Sequence, residues 1–155
     1  MSHSAYAGRA GGSLAGIAPA PVPDELLTVN QAFYEAFEAR DLEAMSEVWE
    51  HSDRVRCTHP GWPTLSGWAA VSGSFLTLFT GDAPLQFILT NVQGELEGGV
   101  AWLFVDENIL GGEEVRGTVA AVNLYTRDGD GRWRMVMHHG SPVVPASGGG
   151  ADWAE

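Results

Sequence analysis

Cysteine is almost missing from this chain: Cys57 is the only one in 155 residues. A single thiol cannot close an intramolecular disulfide, and no CxxC or paired Cys/His spacing announces structural zinc. A reducing compartment fits that composition, so a cytoplasmic location is expected. Basic residues are also few, with 8 Lys plus Arg against 20 Asp plus Glu and a formal net charge of -12. Such an excess repels phosphate backbones and anionic membranes, so neither nucleic acid nor a membrane is an expected partner. Long apolar runs are absent too. No stretch approaches the roughly 20 residues that a spanning helix needs, and the beginning lacks the apolar core of a secretory signal.

The 45% hydrophobic content is enough for one domain with a real core. Residues 1–22 are mostly Ala, Gly, Ser and Pro and read as a disordered lead-in, residues 145–155 as a disordered tail, and 23–144 as the folded domain. Pro23 and Asp24 open a helix carrying Leu26, Leu27, Val29, Phe33 and Phe37 at near-helical spacing. Asp41 caps a second helix expected through Glu50, and Trp68, Val71, Phe75, Leu78 and Phe79 mark a third between Ser66 and Phe79. Arg54 to His59 reads as a strand stopped by Pro60 and Gly61.

After Gly81 the period falls to two. Leu85 to Leu96, Val100 to Leu110, Val115 to Arg127 and Arg132 to Pro142 read as strands joined by Gly-rich turns. Helices in front and an antiparallel meander behind give an α+β domain, in which a strongly curved antiparallel sheet wraps three N-terminal helices. A cone with an internal cavity is the expected shape. Two β-patterned stretches end in histidine, Arg56–Trp62 at His59 and Trp133–His139 at His138 and His139. Histidine is the side chain whose ordinary pKa lies near neutral pH, so chemistry is expected where those two ends meet.

The run from Phe33 to Met45, the His59-Pro60-Gly61-Trp62 turn, Ser66-Gly67 and the final Gly131 to Val136 resemble the SnoaL-like branch of the nuclear transport factor 2-like superfamily. The resemblance covers about Asp24 to Val144 and implies the cone fold. Its ketosteroid isomerase relatives place a base at the end of the first strand before a proline, which is His59 here. Their helix-one tyrosine falls on Phe33, with Tyr34 one residue off, and their strand acid falls on Asn123. The family register turns Trp102, Phe104, Asp106 and Asn108 into the cavity with Ala121, Asn123 and Tyr125, and on the last strand Val136, His138 and Gly140. A slip of one residue puts Glu107 in place of Asp106.

The resemblance thus implies a pocket walled by Phe33, Tyr34, Phe37, Trp49, Trp62, Trp102 and Phe104, with His59, Asp106, Asn123 and His138 converging as catalytic groups. A small hydrophobic or aromatic ligand suits it. His59 would take a proton alpha to a carbonyl, Asn123 would donate to the developing oxyanion, and Asp106 would orient a histidine. A second histidine assisting departure of water is similar to the scytalone dehydratase relatives. The implied activity is a cofactor-independent isomerase or dehydratase acting on a small cyclic carbonyl compound.

Blander readings stand beside these. His59 before a proline can simply cap the turn, Trp49 and Trp133 are good core residues, and Cys57 is a small buried hydrophobe. His59, Asp106 and His138 form a metal triad only if all three converge, and without close ligand spacing no metal is expected. A second functional class is a non-catalytic dimeric binding or assembly module. Trp133, Met135 and Met137 are expected on the convex face of the sheet, where a second subunit would cover them in a homodimer.

Overall fold

The computed structural model describes residues 22–82 and 84–145. The segments expected to be disordered, 1–22 and 145–155, lie outside that range except for Val22 and Pro145. Helix α1 spans Asp24–Ala39, entered from Pro23, with Asp24 and Glu25 at the positive end of its dipole. Its buried stripe is Leu26, Asn30, Phe33, Tyr34 and Ala36. Arg40 ends the helix in the left-handed conformation, φ 52, and turns the chain toward α2, Leu42–Val48. Asp41 caps α2 as its sequence position suggests, accepting the Ala44 N–H at 3.0 Å. The helix stops before Glu50 because Trp49 is extended and bridges Met135.

Strands β1, Arg56–Thr58, and β2, Leu65–Ser66, precede α3, Trp68–Phe79. The two-residue β2 was not legible as a strand, and Gly67 at φ 85 moves the start of α3 to Trp68. The meander consists of β3 (Gln86–Glu97), β4 (Val100–Gly111), β5 (Glu114–Arg127) and β6 (Trp133–Pro142). All these strands form one open six-stranded sheet in the order β2-β1-β6-β5-β4-β3. Every pairing is antiparallel except β1 on β6, which is parallel and sets Cys57 beside His138 and Thr58 beside His139. The two histidine-bearing ends are therefore neighbours on adjacent strands. Phe33, Met45, Trp49, Val55, Phe75 and Met135 pack between helices and sheet. Complete burial of each such side chain contributes roughly 1.5–3 kcal/mol relative to exposure.

The strand faces differ from the expected register in two places. On β4 the buried residues are Ala101, Leu103, Val105 and Glu107, so Trp102, Phe104, Asp106 and Asn108 lie on the outer face. Val100 to Val105 is apolar at every position, so its alternation carries no parity, and the slip of one residue inverts the whole strand. On β6 the register jumps from Leu124↔Met137 to Tyr125↔Met135, leaving Val136 as an extra residue. That bulge returns Met135 and Trp133 to the core, both well buried, and leaves only Met137 of the expected convex trio on the outside.

Candidate active site

Six polar side chains from α1, β4, β5 and β6 form one buried hydrogen-bonded chain. The Tyr34 hydroxyl donates to Glu107 Oε2 at 2.6 Å. Asn123 donates from Nδ2 to Asn30 Oδ1 at 2.9 Å and to the Tyr34 oxygen at 3.1 Å. Tyr125 also donates to Asn30 Oδ1, at 2.8 Å. These bonds fix the Asn123 amide, so its Oδ1 accepts from His138 Nδ1 at 2.5 Å. His138 is then the Nδ1–H tautomer, and its Nε2 is a bare lone pair with no hydrogen bond among the described residues.

His59 is reached from the other side. It sits just past β1, held by the turn in which Trp62 N–H donates to His59 O at 2.8 Å. Its Nε2 lies 2.8 Å from Ser74 Oγ, and that hydroxyl gives its one hydrogen to Val71 O at 2.6 Å. His59 must therefore donate from Nε2, which leaves Nδ1 as the lone pair. Cys57 Sγ is 3.7 Å and 3.9 Å from the two ring nitrogens, nearly equidistant, as in van der Waals contact rather than a directed bond. Phe33 packs on His138 with ring centroids 4.8 Å apart, and Trp62 meets His59 edge-on at 5.0 Å.

Electrostatics separates these groups. Burial pushes the Glu107 carboxyl up to about 7, partly offset by the Tyr34 hydrogen bond. Burial holds His59 at about 4. Burial, and then the positive charge of His59 and His139, hold His138 at about 3. Tyr34 is raised well beyond its ordinary value by burial and by the neighbouring Glu107 charge. The Cys57 thiol is pushed up to about 12 by burial and by Glu107, so it is a neutral wall residue rather than a nucleophile. At neutral pH both histidines are uncharged, and Glu107 is the group of this cluster poised to exchange a proton.

Among the described residues, the buried side-chain N and O atoms that are both sealed from solvent and unpaired are the indole nitrogens of Trp49 and Trp133. His138 Nε2 and Glu107 Oε1 have no hydrogen bond among the described residues either, and both residues are 3% exposed. A groove of about 780 Å³ on the other side of α1, lined by residues such as Thr28, Ala32, Val48 and Trp133, touches none of this cluster.

The sequence-derived site is thus partly reassembled. His59, Asn123 and His138 are buried on the helix-covered face with Tyr34 and Phe33. Asp106 is not among them: it lies on the outer face and accepts from Asn91 Nδ2 at 2.7 Å, while Glu107 takes the inner position. Trp102 and Phe104 share the outer face with Asp106, and Phe104 is 52% exposed. Trp49 and Phe37 are core residues among Phe75, Trp68, Phe79 and Phe87, whereas Trp62 stands at the rim, 38% exposed. With Asp106 outside, His59 and His138 have lost the carboxylate of the metal triad, and no group of three His, Cys, Asp or Glu side chains among the described residues is arranged to hold a metal ion.

Asn123 has both amide hydrogens engaged, on Asn30 and Tyr34, so it has none left for the oxyanion expected of it. Asn30 and Ser74 went unread in the sequence. Asn30 had a signal, being a polar residue four positions after Leu26 and four before Tyr34 on a buried helical stripe.

Residues 26–146 match the SnoaL-like domain family. The F-box protein SKIP8 of Arabidopsis thaliana is 29% identical over 121 residues, 77% of this chain and 50% of that protein. The chain therefore spans about half the length of the curated relative it matches. A candidate dehydratase of the NTF2-like family from Streptomyces avermitilis is 36% identical with a TM-score of 0.71, over 79% of this chain and 96% of that one. A candidate calcium/calmodulin-dependent protein kinase type II association domain from Thiobacillus denitrificans is also 36% identical, TM-score 0.68, over 82% and 100%. A candidate ketosteroid isomerase from Parabacteroides distasonis, 17% identical with a TM-score of 0.67 over 82% and 92%, shares the fold alone.

Proposed function

Since the chain belongs to the SnoaL-like domain family, we propose that it binds a small cyclic hydroxy-carbonyl compound between the helices and the sheet and removes water from it without a cofactor. Glu107 is the proton carrier. Its ionised carboxylate takes the hydrogen alpha to the carbonyl, and the C–H electron pair becomes the new double bond. The C–O bond breaks, and the departing hydroxyl leaves as water with the proton just placed on Glu107. The atoms balance with substrate and one carboxyl group, and the carboxylate is regenerated.

The observation that carries this reading is Glu107 paired with Tyr34 at 2.6 Å and raised to about 7, on the same covered face as two histidines that stay neutral. At about 4 and about 3, His59 and His138 are weaker bases than Glu107, which moves the proton-transfer role away from His59. They serve better as acceptors that position the substrate. Loss of water is favoured over isomerisation because Asn123 and Tyr34 have no hydrogen left for an enolate oxygen. The similarity to the Streptomyces avermitilis candidate dehydratase points the same way. The test is a panel of cyclic hydroxy ketones followed by mass spectrometry for loss of water. Turnover by the intact protein, abolished in Glu107→Gln at unchanged fold, is expected; no turnover, or full activity of Glu107→Gln, refutes it.

A second reading has its own observation. Phe104 is 52% exposed on the outer face, beside Val122 and in the same face as Trp102 and Met137. An apolar surface of this kind suits a homodimer through the outer sheet face, and the similarity to a candidate association domain fits an assembly role. Dimerisation is compatible with either reading; assembly without turnover is the alternative.

A further inference from the structure

The hydrogen-bond inventory of the cluster is lopsided. Tyr34 gives its hydrogen to Glu107, Tyr125 gives its to Asn30, and Asn123 uses both of its own. His138 donates from Nδ1 to Asn123, and His59 donates from Nε2 to Ser74, whose hydroxyl hydrogen is committed to Val71 O. What remains is three atoms with lone pairs: His138 Nε2, His59 Nδ1 and the ionised Glu107 Oε1. Asn30 keeps amide hydrogens, but its bonds are to Asn123 and Tyr125, which separates it from the histidines. The Cys57 thiol is a weak donor only.

The two histidine acceptors are neighbours through Cys57, and Glu107 is near enough to act on the same thiol. Cys57 is paired in register with His138, touches His59 at 3.7 Å and feels the charge of Glu107. His59, Glu107 and His138 are each 3% exposed. A ligand that reaches the two ring nitrogens meets lone pairs there, and the Trp62 indole N–H at the rim is the donor nearby. A carbonyl or ether oxygen would find itself opposite another acceptor, whereas a hydroxyl or N–H group would satisfy groups that are otherwise unpaired.

We propose that the ligands this site selects are rings bearing at least two hydrogen-bond donors, a diol, a polyol or a polyphenol, whose hydrogens go to His138 Nε2 and His59 Nδ1. This rests on the site proposed above and adds the chemical class of its ligand: the substrate carries two or more hydroxyls facing the histidine nitrogens, and its carbonyl is turned away from them. Discrimination comes from the donors and not from the ring, so capping each hydroxyl as a methyl ether destroys recognition while retaining the ring and its oxygen atoms. Trp62, 38% exposed and edge-on to His59, supplies the aromatic surface a flat ring would meet at the rim.

The experiment is a binding titration of the full chain with resorcinol and with 1,3-dimethoxybenzene, followed by calorimetry and by the ring signals of His59 and His138 in NMR. Resorcinol is expected to bind at least about tenfold more tightly and to move both histidine signals. Equal affinity, or a preference for the dimethyl ether, with histidine signals still moving, overturns the donor rule and leaves the site standing. Binding of neither compound, or binding that leaves both histidines unmoved, overturns the site and the donor rule together. Cyclohexane-1,4-diol against cyclohexane-1,4-dione repeats the comparison without aromaticity, with the diol expected to bind more tightly; preference for the dione counts against the rule.

Discussion

Tyr34 and Glu107, 73 residues apart in the chain, share a 2.6 Å hydrogen bond on the helix-covered face of the sheet, and that bond holds the carboxyl lower than burial alone would. Removing the phenol with Tyr34→Phe should therefore raise the Glu107 midpoint above about 7. It should also cost roughly 1–3 kcal/mol of stability, since Asn123 loses an acceptor and Glu107 a donor. A carboxyl-carbon NMR titration of the variant checks the direction; a midpoint that falls contradicts it.

The histidine tautomers are directly measurable. Nitrogen chemical shifts should identify His138 as Nδ1–H, bonded to Asn123, and His59 as Nε2–H, bonded to Ser74. The opposite tautomer at His138 would mean an Asn123 amide turned the other way and a donor where the site now has an acceptor. Ser74→Ala should leave His138 unchanged and perturb His59 alone.

Stability should depend on acidity in a way set by three groups. His59 and His138 titrate at about 4 and about 3 when folded against an ordinary 6.5, so the unfolded chain binds two more protons below pH 6.5 and their contribution is lost as pH falls. Glu107 works in the other sense: raised from 4.5 to about 7, it favours the folded state at low pH and loses that contribution as pH rises through about 7. Between about pH 4.5 and 6.5, two protons oppose one, and stability should fall on acidification by about 1.4 kcal/mol per pH unit. In Glu107→Gln the opposing proton is gone and the slope should double. Denaturant unfolding across that range checks it; an unchanged slope contradicts the assignment.

The outer face makes a prediction of its own. Phe104→Glu puts a charge in the row Phe104, Val122 and His139, away from the buried cluster. Sedimentation should show a dimer for the native chain and a monomer for the variant, with little change in the histidine signals. A native chain that sediments as a monomer removes the homodimer.

Much of this architecture can be read from the residues, and the failures have specific causes. The stripe from Leu26 through Phe33, the Asp41 cap and the Gly-rich turns of the meander are local signals, and the helices and long strands follow from them. The partners of His59 and His138 depend on β1 lying parallel to β6, a contact between distant segments that no local pattern encodes. Asp106 and Glu107 are adjacent acids, and choosing between them needs the face of β4, which the unbroken apolar run before them conceals. The Val136 bulge likewise leaves no mark in a run of Trp, Arg, Met, Val and Met, yet it decides that Met135 and Trp133 are inside.

The central claim is that Glu107 carries the exchangeable proton of this site near neutrality. A pH titration of the native protein, following the Glu107 carboxyl carbon assigned by comparison with Glu107→Gln, tests it most directly. The account predicts a midpoint near 7, with His59 and His138 remaining neutral from there down to about pH 5. A Glu107 midpoint near its ordinary 4.5, with either histidine titrating near 6.5, would contradict it.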